Sequence, residues 1–555
     1  MSKTLRFDVA DQRMQYKGKL KSFPFSKDKI IEFNLTHSSI CELYDISLIS
    51  GEIIVLDDTQ NKESNLGAFR NRKLRESVIL SGALSAVAVG VHGRGSLNEV
   101  PEEKRTKELI NELKRANDRT AAQVMSEVLQ LTTETLPVGE EVLIESTLTE
   151  GVRAKPGKEV GGNPTIAVGA LFGKKKHRET YGGDMPTNVS LLSMGNDVID
   201  GTTKSVKGLH SSLTALFLIE AQVKRHIPDI YVQRWMSGAY FPEFNPRNKT
   251  LIESAKIIAE SYGHSNLKKL SSFFIDRRRH HPAMDELNKA GVAIPYDTDG
   301  DLYPSLILGL DDLKFPNGRS LNCMIGEVGG SAEWAVGVLP LVWRGGQALG
   351  MLTSHSSLTK KGASPKELWE NRFHYTEEEL IMIQDARFQQ KPYFTIHDII
   401  DDPFAGGISA FGSITDNIYL PFLKGVKADS ENRTISVNVL TINSLGITEC
   451  WKMVFECHNS LDTTIVLMTS PKEKLENLKG KKLEKTIGKM LESEKDRNRY
   501  RIFFNNEYYP ASVPIRDKLT LLNDALEGLI QRGALNSIDR EIVEITQRLA
   551  PEWWV

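Results

Sequence analysis

One run, VSLLSMGNDVID followed by GTT (Val189 to Thr203), constrains this chain more than any other. Its apolar first part, Val189 to Met194, predicts a buried strand that ends at Gly195 and Asn196. Asp197 and Asp200 follow three apart, and Gly201 turns the chain into a helix start at Thr202, Thr203 and Lys204. Two carboxylates at a strand end suit a hard cation such as Mg²⁺, which takes oxygen ligands and binds through one or two carboxylates together with phosphate oxygens. The free N–H groups of a first helical turn hold the same phosphate. Together they point to metal-dependent phosphate chemistry. An ordinary Asp/Gly turn is the competing reading of this stretch taken alone.

The 555 residues suffice for two or more domains, or for one large layered domain with appendages. With 40% hydrophobic and 26% charged residues the composition is that of a globular protein, and a formal net charge of −2 gives no basic field for nucleic acid or anionic lipid. Cys41, Cys323, Cys450 and Cys457 make no zinc spacing and no disulfide framework, so a reducing, cytoplasmic compartment is expected. The first residues, MSKTLRFDVADQ, lack an apolar signal region, and the apolar stretches SGALSAVAVGV and WAVGVLPLVW read as buried elements too short to span a bilayer.

Along the chain, residues 1–70 predict a β-rich extension with strands IIEFNL, ICELYDISLI and EIIVLDD and turns at SGE and DDTQNKESN. LRESVILSGALSAVAVGVHGRG predicts a helix. The charged segment from Pro101 predicts another, with Pro101 near its start and Asp118 four residues after Lys114; a solvated charged face is the bland reading. VLIEST predicts a strand bearing Glu145, which is otherwise edge decoration. Residues 151–188 form a Gly/Lys-rich insertion whose cluster Lys174, Lys175, Lys176, His177 and Arg178 meets a phosphate or, more simply, solvent, as a mobile loop over the site. SSLTALFLIE reads as a helix or a strand pair.

From about 228 to 345, strands and helices alternate as in α/β proteins. Arg277, Arg278 and Arg279 end one strand there, and Asp299, Gly300 and Asp301 follow another. Arginine suits phosphate and the acids suit sugar hydroxyls, unless the two groups pair with each other as surface charges. A strand then runs into Gly329-Gly330-Ser331 and a helix with Glu333 in its first turn, where helix-dipole stabilisation alone would account for an acid. Residues 346–470 predict further α/β structure with strands ISVNVLTI, CWKMVFEC and TTIVLMT, and 471–555 a helical tail that caps the fold or contacts a partner.

Taken in order, these elements resemble the bacterial class II fructose-1,6-bisphosphatases, of the lithium-sensitive, metal-dependent sugar phosphatase superfamily. KRANDRTAAQVM is similar to Lys-Asn-x-Ala-Asp, VLIEST to a strand ending in a metal-binding glutamate, and NDVIDGTT to Asp-Pro-Ile-Glu/Asp-Gly-Thr. GEVGGSAEW is similar to Gly-x-Gly-Gly-Ala-Pro-Glu-Gly, DIYVQRWMSG to Met-Tyr-x-Glu-Lys, and RRRHHPAMDELNKAGVAIPYDTDGD to the segment from Lys-Pro-Arg-His to Asp-Gly-Asp. FTIHDIIDDPFAGGISAFGSIT resembles the family's late segment ending in Ser-Ala-x-Gly-Ile-Thr.

The resemblance covers about residues 72–470 outside the insertion. It implies a layered α/β/α/β/α fold with mixed sheets, whose core runs over 71–345 and 346–470. It also implies two or three Mg²⁺ or Mn²⁺ ions on Asp118, Glu145, Asp197, Asp200 and Glu333. Lys114, Thr202 and Glu150 become catalytic candidates, the last two for orienting the attacking water. Substrate contacts fall on Asp200, Gly201, Thr202, Tyr231, Arg277, Arg278, Arg279, Asp299, Gly300, Asp301 and Gly330. The implied reaction is hydrolysis of a sugar bisphosphate, fructose 1,6-bisphosphate first, by an enzyme expected to form homo-oligomers, and the charge balance and short apolar stretches predict neither a nucleic-acid nor a membrane partner. Another sugar or inositol phosphate, or a non-catalytic scaffold, is the alternative.

The chain departs from the family at Val198, at Ser331-Ala332-Glu333-Trp334 and at Arg277. At Thr149 it departs where the family has an acid that helps activate water.

Overall fold

The computed structural model describes residues 13–17, 21–24, 46–57, 72–151, 164–181, 189–223, 231–353, 362–370, 393–429 and 432–457, with isolated positions elsewhere. The strands expected at IIEFNL and TTIVLMT lie outside the described residues, and so does the helical tail apart from isolated positions.

The described chain opens with β1 (Gln15–Tyr16), β2 (Lys21–Pro24) and β3 (Ile46–Asp57). The turn expected at Ser50-Gly51-Glu52 is absent: β3 is one strand of 12 residues, with Ser50, Gly51 and Glu52 paired to Val454, Met453 and Lys452. A long partner strand thus overrides the local turn signal.

Helices α1 (Arg72–His92) and α2 (Lys107–Glu134) follow. Pro101 leads only a 3₁₀ turn, and α2 starts later, where the Thr106 hydroxyl accepts the Leu109 N–H at 3.2 Å. At 21 residues α1 is long enough to cross a bilayer, contrary to the expectation, but Val78 to Val89 are packed inside the protein against the sheet.

Next come β4 (Val142–Thr149), β5 (Leu171–Phe172), α3 (Lys175–Glu179), β6 (Ser190–Asp200), α4 (Thr202–Lys207), β7 (Leu213–Ile219) and β8 (Val232–Ser237). SSLTALFLIE is therefore a single strand. β6 runs past Gly195 and Asn196 to Asp200, because Gly195 pairs with Phe217 and its missing side chain leaves room for the Phe217 ring.

The chain continues through α5 (Leu251–Ser261), β9 (Ser272–Ile275), α6 (His281–Lys289), β10 (Tyr296–Asp297), α7 (Leu302–Ile307), β11 (Leu313–Lys314), β12 (Cys323–Val328), α8 (Ser331–Trp343) and β13 (Gln347–Leu352). After α9 (Pro365–Glu370) it closes with β14 (Gly407–Ser413), β15 (Lys427–Asp429), β16 (Thr434–Asn443) and β17 (Thr448–Cys457).

A ten-stranded sheet has the order β2-β3-β17-β16-β14-β7-β6-β4-β5, with β15 on β16; β4 and β6 are parallel and their neighbours antiparallel. A five-stranded mixed sheet has the order β10-β9-β12-β8-β13, and β1 pairs with β11. The two faces of β7 show how the sheets are covered. Leu213, Ala215, Phe217 and Ile219 share a core with α7, α8 and inward residues of the small sheet such as Met236 and Met324. Leu216 and Leu218 pack with α1 and α2. Trp235, Ile325 and Leu349, on the other face of the small sheet, pack with α5 and α6.

Helix α1 lies so close to β14 that a Cβ on Gly412 would fall 2.0 Å from the Gly82 carbonyl oxygen. Gly412→Ala is expected to destabilise the fold by about 1–3 kcal/mol through overpacking, read from the midpoint of urea unfolding. An unchanged midpoint would show that the helix can lift off the sheet freely.

Candidate metal centre

The carboxylates converge where strands of the large sheet end. In a regular strand residues three apart point to opposite faces, which would separate Asp197 from Asp200. The ladder with β7 breaks its register between these two, Asp197 lying opposite Ala215 and Asp200 opposite Leu213. The extra residue brings both acids to one side. Gly201 then takes a left-handed φ of 75° and starts α4.

Glu333 arrives from the first turn of α8, and Gly329 leaves room for it: a Cβ there would lie 2.4 Å from Glu333 Oε2. The ligand oxygens of Asp197, Asp200 and Glu333 all lie within 4.8 Å of one another, and all three residues are buried. Asp118, buried on α2, joins from beneath, its Oδ1 accepting the Thr202 hydroxyl at 3.2 Å. Thr202 also reaches the Ile199 carbonyl at 3.1 Å, and Lys114 stands one turn before Asp118.

Burial and mutual repulsion govern the charge here. Loss of solvent pushes Asp118 well above the usual carboxylate range, with Glu150 adding to the shift and Lys114 opposing it. Asp197 is pushed up by burial and then by Glu150, Asp200 and Asp118, and Glu333 by burial and then by Asp301, Asp197 and Asp200. Asp200 is raised to about 7 by burial and Asp301, held back by the Asp301 N–H and by Lys204. Its Oδ1 accepts the Asp301 N–H at 2.7 Å and its Oδ2 the Leu302 N–H at 3.2 Å, which ties the large sheet to the start of α7.

Glu145 does not join these acids. It lies level with Ser193, about 13 Å of strand before Asp197, and Tyr181 donates to its Oε2 at 2.6 Å. The fifth acid of the cluster is Glu150, whose N–H bonds the Asn196 carbonyl at 3.1 Å and whose charge acts on Asp118, Asp197 and Glu333. A second register break, between Ser146 and Leu148, separates the two positions. The usable signal was an acid–glycine pair at a strand end: Glu150-Gly151 closes β4 as Asp200-Gly201 closes β6. Thr149 is buried, 2.9 Å from the Ser146 hydroxyl and accepting from Asn196 at 3.1 Å.

The basic cluster of the insertion does not meet these acids either. Lys174, Lys176 and His177 pair with Glu141, Lys175 with Glu179 and Arg178 with Glu134.

The small sheet supplies a rim of arginines. Arg279 lies over the Tyr231 ring, 5.4 Å from its centroid, and its Nε and Nη2 engage Glu327. Arg277 donates to the Thr298 carbonyl and reaches Asp299 at 3.3 Å, while Arg278 is exposed. Asp301 pairs with Arg234 at 3.4 Å. Gly300 sits against Asp200, and the Gly330 carbonyl accepts the Trp334 N–H at 3.0 Å to begin α8.

Sequence reasoning missed Arg234 and Glu327, which lie within strands, and also a buried ion pair. Lys204 Nζ meets Asp297 Oδ2 at 2.6 Å, the Tyr303 hydroxyl donates to the same oxygen at 2.6 Å, and the ammonium lies 4.9 Å from the Tyr303 ring centroid. No spacing in the sequence links residues 93 apart.

These residues fit a divalent hard cation. The donors are all carboxylate oxygens, with neither His nor Cys among them, and the buried Asp118 Oδ2 has no hydrogen-bond partner among the described residues. Fold and site thus define an α/β protein with an acid cluster suited to metal ions and, beside it, an arginine rim.

Comparison with known proteins narrows that class. Residues 179–444 match the family model described as bacterial fructose-1,6-bisphosphatase, glpX-encoded. Two proteins named D-fructose 1,6-bisphosphatase class 2/sedoheptulose 1,7-bisphosphatase, from Synechococcus sp. strains JA-2-3B'a(2-13) and JA-3-3Ab, are 26% and 25% identical over 176 residues. Each match covers 31% of this chain and 47% of the relative. One of the same name from Trichodesmium erythraeum is 24% identical over 171 residues, again 31% of this chain and 47% of the relative. The chain spans about half the length of the curated relatives it matches. The resemblance to class 2 bisphosphatases is therefore real over the span that holds Asp197, Asp200 and Glu333, and the structure brings Asp118 and Glu150 to them from outside it.

Two outcomes follow from this geometry. Because the folded protein holds the Asp200 proton up to about 7, metal-free protein loses stability as pH rises from about 4 through about 7. Mg²⁺ is therefore expected to raise Tm more at about pH 7.5 than at about pH 5, by thermal shift after chelation. Equal shifts would contradict this origin. Asp297→Asn leaves Lys204 buried beside a neutral partner and is expected to cost about 3–5 kcal/mol in denaturant unfolding. Lys204→Met combined with Asp297→Leu should recover most of that.

Proposed function

We propose that the protein is a metal-dependent sugar-bisphosphate phosphatase that releases phosphate from fructose 1,6-bisphosphate. The observation that carries this is the buried group Asp197, Asp200 and Glu333, inside a span that resembles the class 2 bisphosphatases, joined by Asp118 and Glu150 from before that span. The relatives' names include sedoheptulose 1,7-bisphosphate, so the seven-carbon sugar is the second substrate to test. We also read the packing of helices on both sheets as the layered α/β/α/β/α arrangement of sugar phosphatases.

Asp118, Asp197, Asp200 and Glu333 would hold two or three Mg²⁺ or Mn²⁺ ions, with Glu150 taking the place expected of Glu145. Such ions lower the pKa of a bound water and neutralise phosphate oxygens. The protein's own groups orient the reaction. Glu150 and Thr202 flank Asp118 and direct the attacking water, and Lys114 balances part of the acidic charge. Gly201 and Gly330, at the starts of α4 and α8, border the reacting phosphate. Asp299, Gly300 and Asp301 meet sugar hydroxyls, and Tyr231, Arg277 and Arg279 face the distal phosphate, with Arg278 at the exposed edge. Binding energy from that distal group is then available at the reacting centre.

The test is phosphate release from fructose 1,6-bisphosphate with Mg²⁺ or Mn²⁺. Asp200→Ala removes a proposed ligand and is expected to lower turnover by more than about a hundredfold. Absence of release with either metal from both fructose 1,6- and sedoheptulose 1,7-bisphosphate, in a protein that Mg²⁺ stabilises, would overturn the phosphatase reading and leave a binding role.

A further inference from the structure

The arginine rim carries more acid than a phosphate site calls for. Arg277, Arg279 and Arg234 each face a carboxylate, on Asp299, Glu327 and Asp301 respectively. Asp299 and Asp301 belong to the 299–301 turn, where sugar hydroxyls are expected. Glu327 does not. It sits inside β12 opposite Gln233, its side chain is only 4% exposed, and it takes both Nε and Nη2 of Arg279. The Tyr231 ring covers the guanidinium from another side, 5.4 Å away.

A second phosphate reaching Arg279 would therefore compete with a carboxylate that is already paired and cannot swing out to solvent. Arginine's planar fork offers two edges for bidentate contact, and the Oε1 of Glu327 has taken the one formed by Nε and Nη2. His280 adds to the constraint: its Nδ1 lies 2.7 Å from the Ile275 carbonyl and its Nε2 3.6 Å from the same Glu327 oxygen, so the carboxylate is hemmed in from behind.

We propose that Glu327 is a specificity-determining residue, which acts through Arg279 to weaken the distal phosphate's contribution and so narrows the preference for bisphosphates over sugar 1-phosphates. The inference rests on the sugar-phosphate reading of the site and deepens it. It assigns Glu327 a positioning role, since the side chain touches Arg279 rather than substrate.

The experiment uses the full chain with Mg²⁺ and compares fructose 1,6-bisphosphate with fructose 1-phosphate as substrates. Fructose 6-phosphate, which carries only the distal group, is measured by calorimetry. In the unaltered protein kcat/KM for the bisphosphate is expected to exceed that for the 1-phosphate by less than about tenfold, below the worth of a full charge-assisted hydrogen bond. Glu327→Gln is expected to raise that ratio about tenfold or more, through KM rather than kcat, and to tighten fructose 6-phosphate binding by a similar factor.

A hundredfold bisphosphate preference in the unaltered protein overturns the proposal even if the variant fails to fold. An unchanged or lower ratio in a folded Glu327→Gln overturns it as well. If neither substrate is hydrolysed, the phosphatase reading fails separately. Calorimetry then still decides Glu327, because fructose 6-phosphate binding that the substitution does not improve sinks the inference.

Discussion

Five carboxylates gathered at one junction, four of them buried and Glu150 half-buried, are the constraint that the rest of the structure answers. Asp118, Glu150, Asp197, Asp200 and Glu333 act on one another's charge, and none can be fully ionised without raising the energy of its neighbours. Folding tolerates such a cluster in two ways, by keeping protons on some of the acids or by admitting cations. Partial relief comes from Lys114, from Lys204 and from the N–H groups of Asp301 and Leu302. These compensations are incomplete, as expected of a site whose missing charge comes from a ligand rather than from the chain.

The cluster can exist because the large sheet is irregular where it matters. Strand periodicity would place Asp197 and Asp200 on opposite faces, and register breaks in β4 and β6 re-aim the strand ends. This sets the limit of legibility. The strands themselves, the glycine turns and the placement of Glu333 at a helix start follow from local patterns and were readable. A register break leaves no pattern of its own in the sequence. Hence VLIEST reads correctly as a strand, while the family resemblance points to its Glu145 and the acid whose charge acts on the cluster is Glu150, five residues on, beside Gly151. The same holds for β3, where a turn signal at Ser50-Gly51-Glu52 gave way to pairing with β17.

Division of labour between the sheets explains why the rest of the site was harder to read. The large sheet and α2 bring four of the five acids, and the small sheet brings the arginines. What locks them together is tertiary: the Asp200 carboxylate on the N–H groups of 301 and 302, and Lys204 on Asp297. The Lys204–Asp297 pair is removed from solvent together with the Tyr303 hydroxyl that shares its oxygen. Buried pairs of this kind are weak sources of stability, and their best-attested use is to fix one arrangement among several. Here that arrangement is the seating of the acids on β6 against the turn from Asp297 to Asp301.

That span also bears on the extent of the resemblance. The family match runs from 179 to 444 and so holds the β6 acids, Glu333 and the arginine rim, whereas Asp118 and Glu150 lie before it. A helix residue such as Asp118 needs only a partner of fixed geometry above it, supplied by Thr202, and Glu150 needs only the end of a strand parallel to β6. Neither position demands a long sequence motif, only a partner that holds the carboxylate in place. Chemistry of this type depends on where a few oxygens end up, and the paired sheets fix those positions more firmly than the residues between them do.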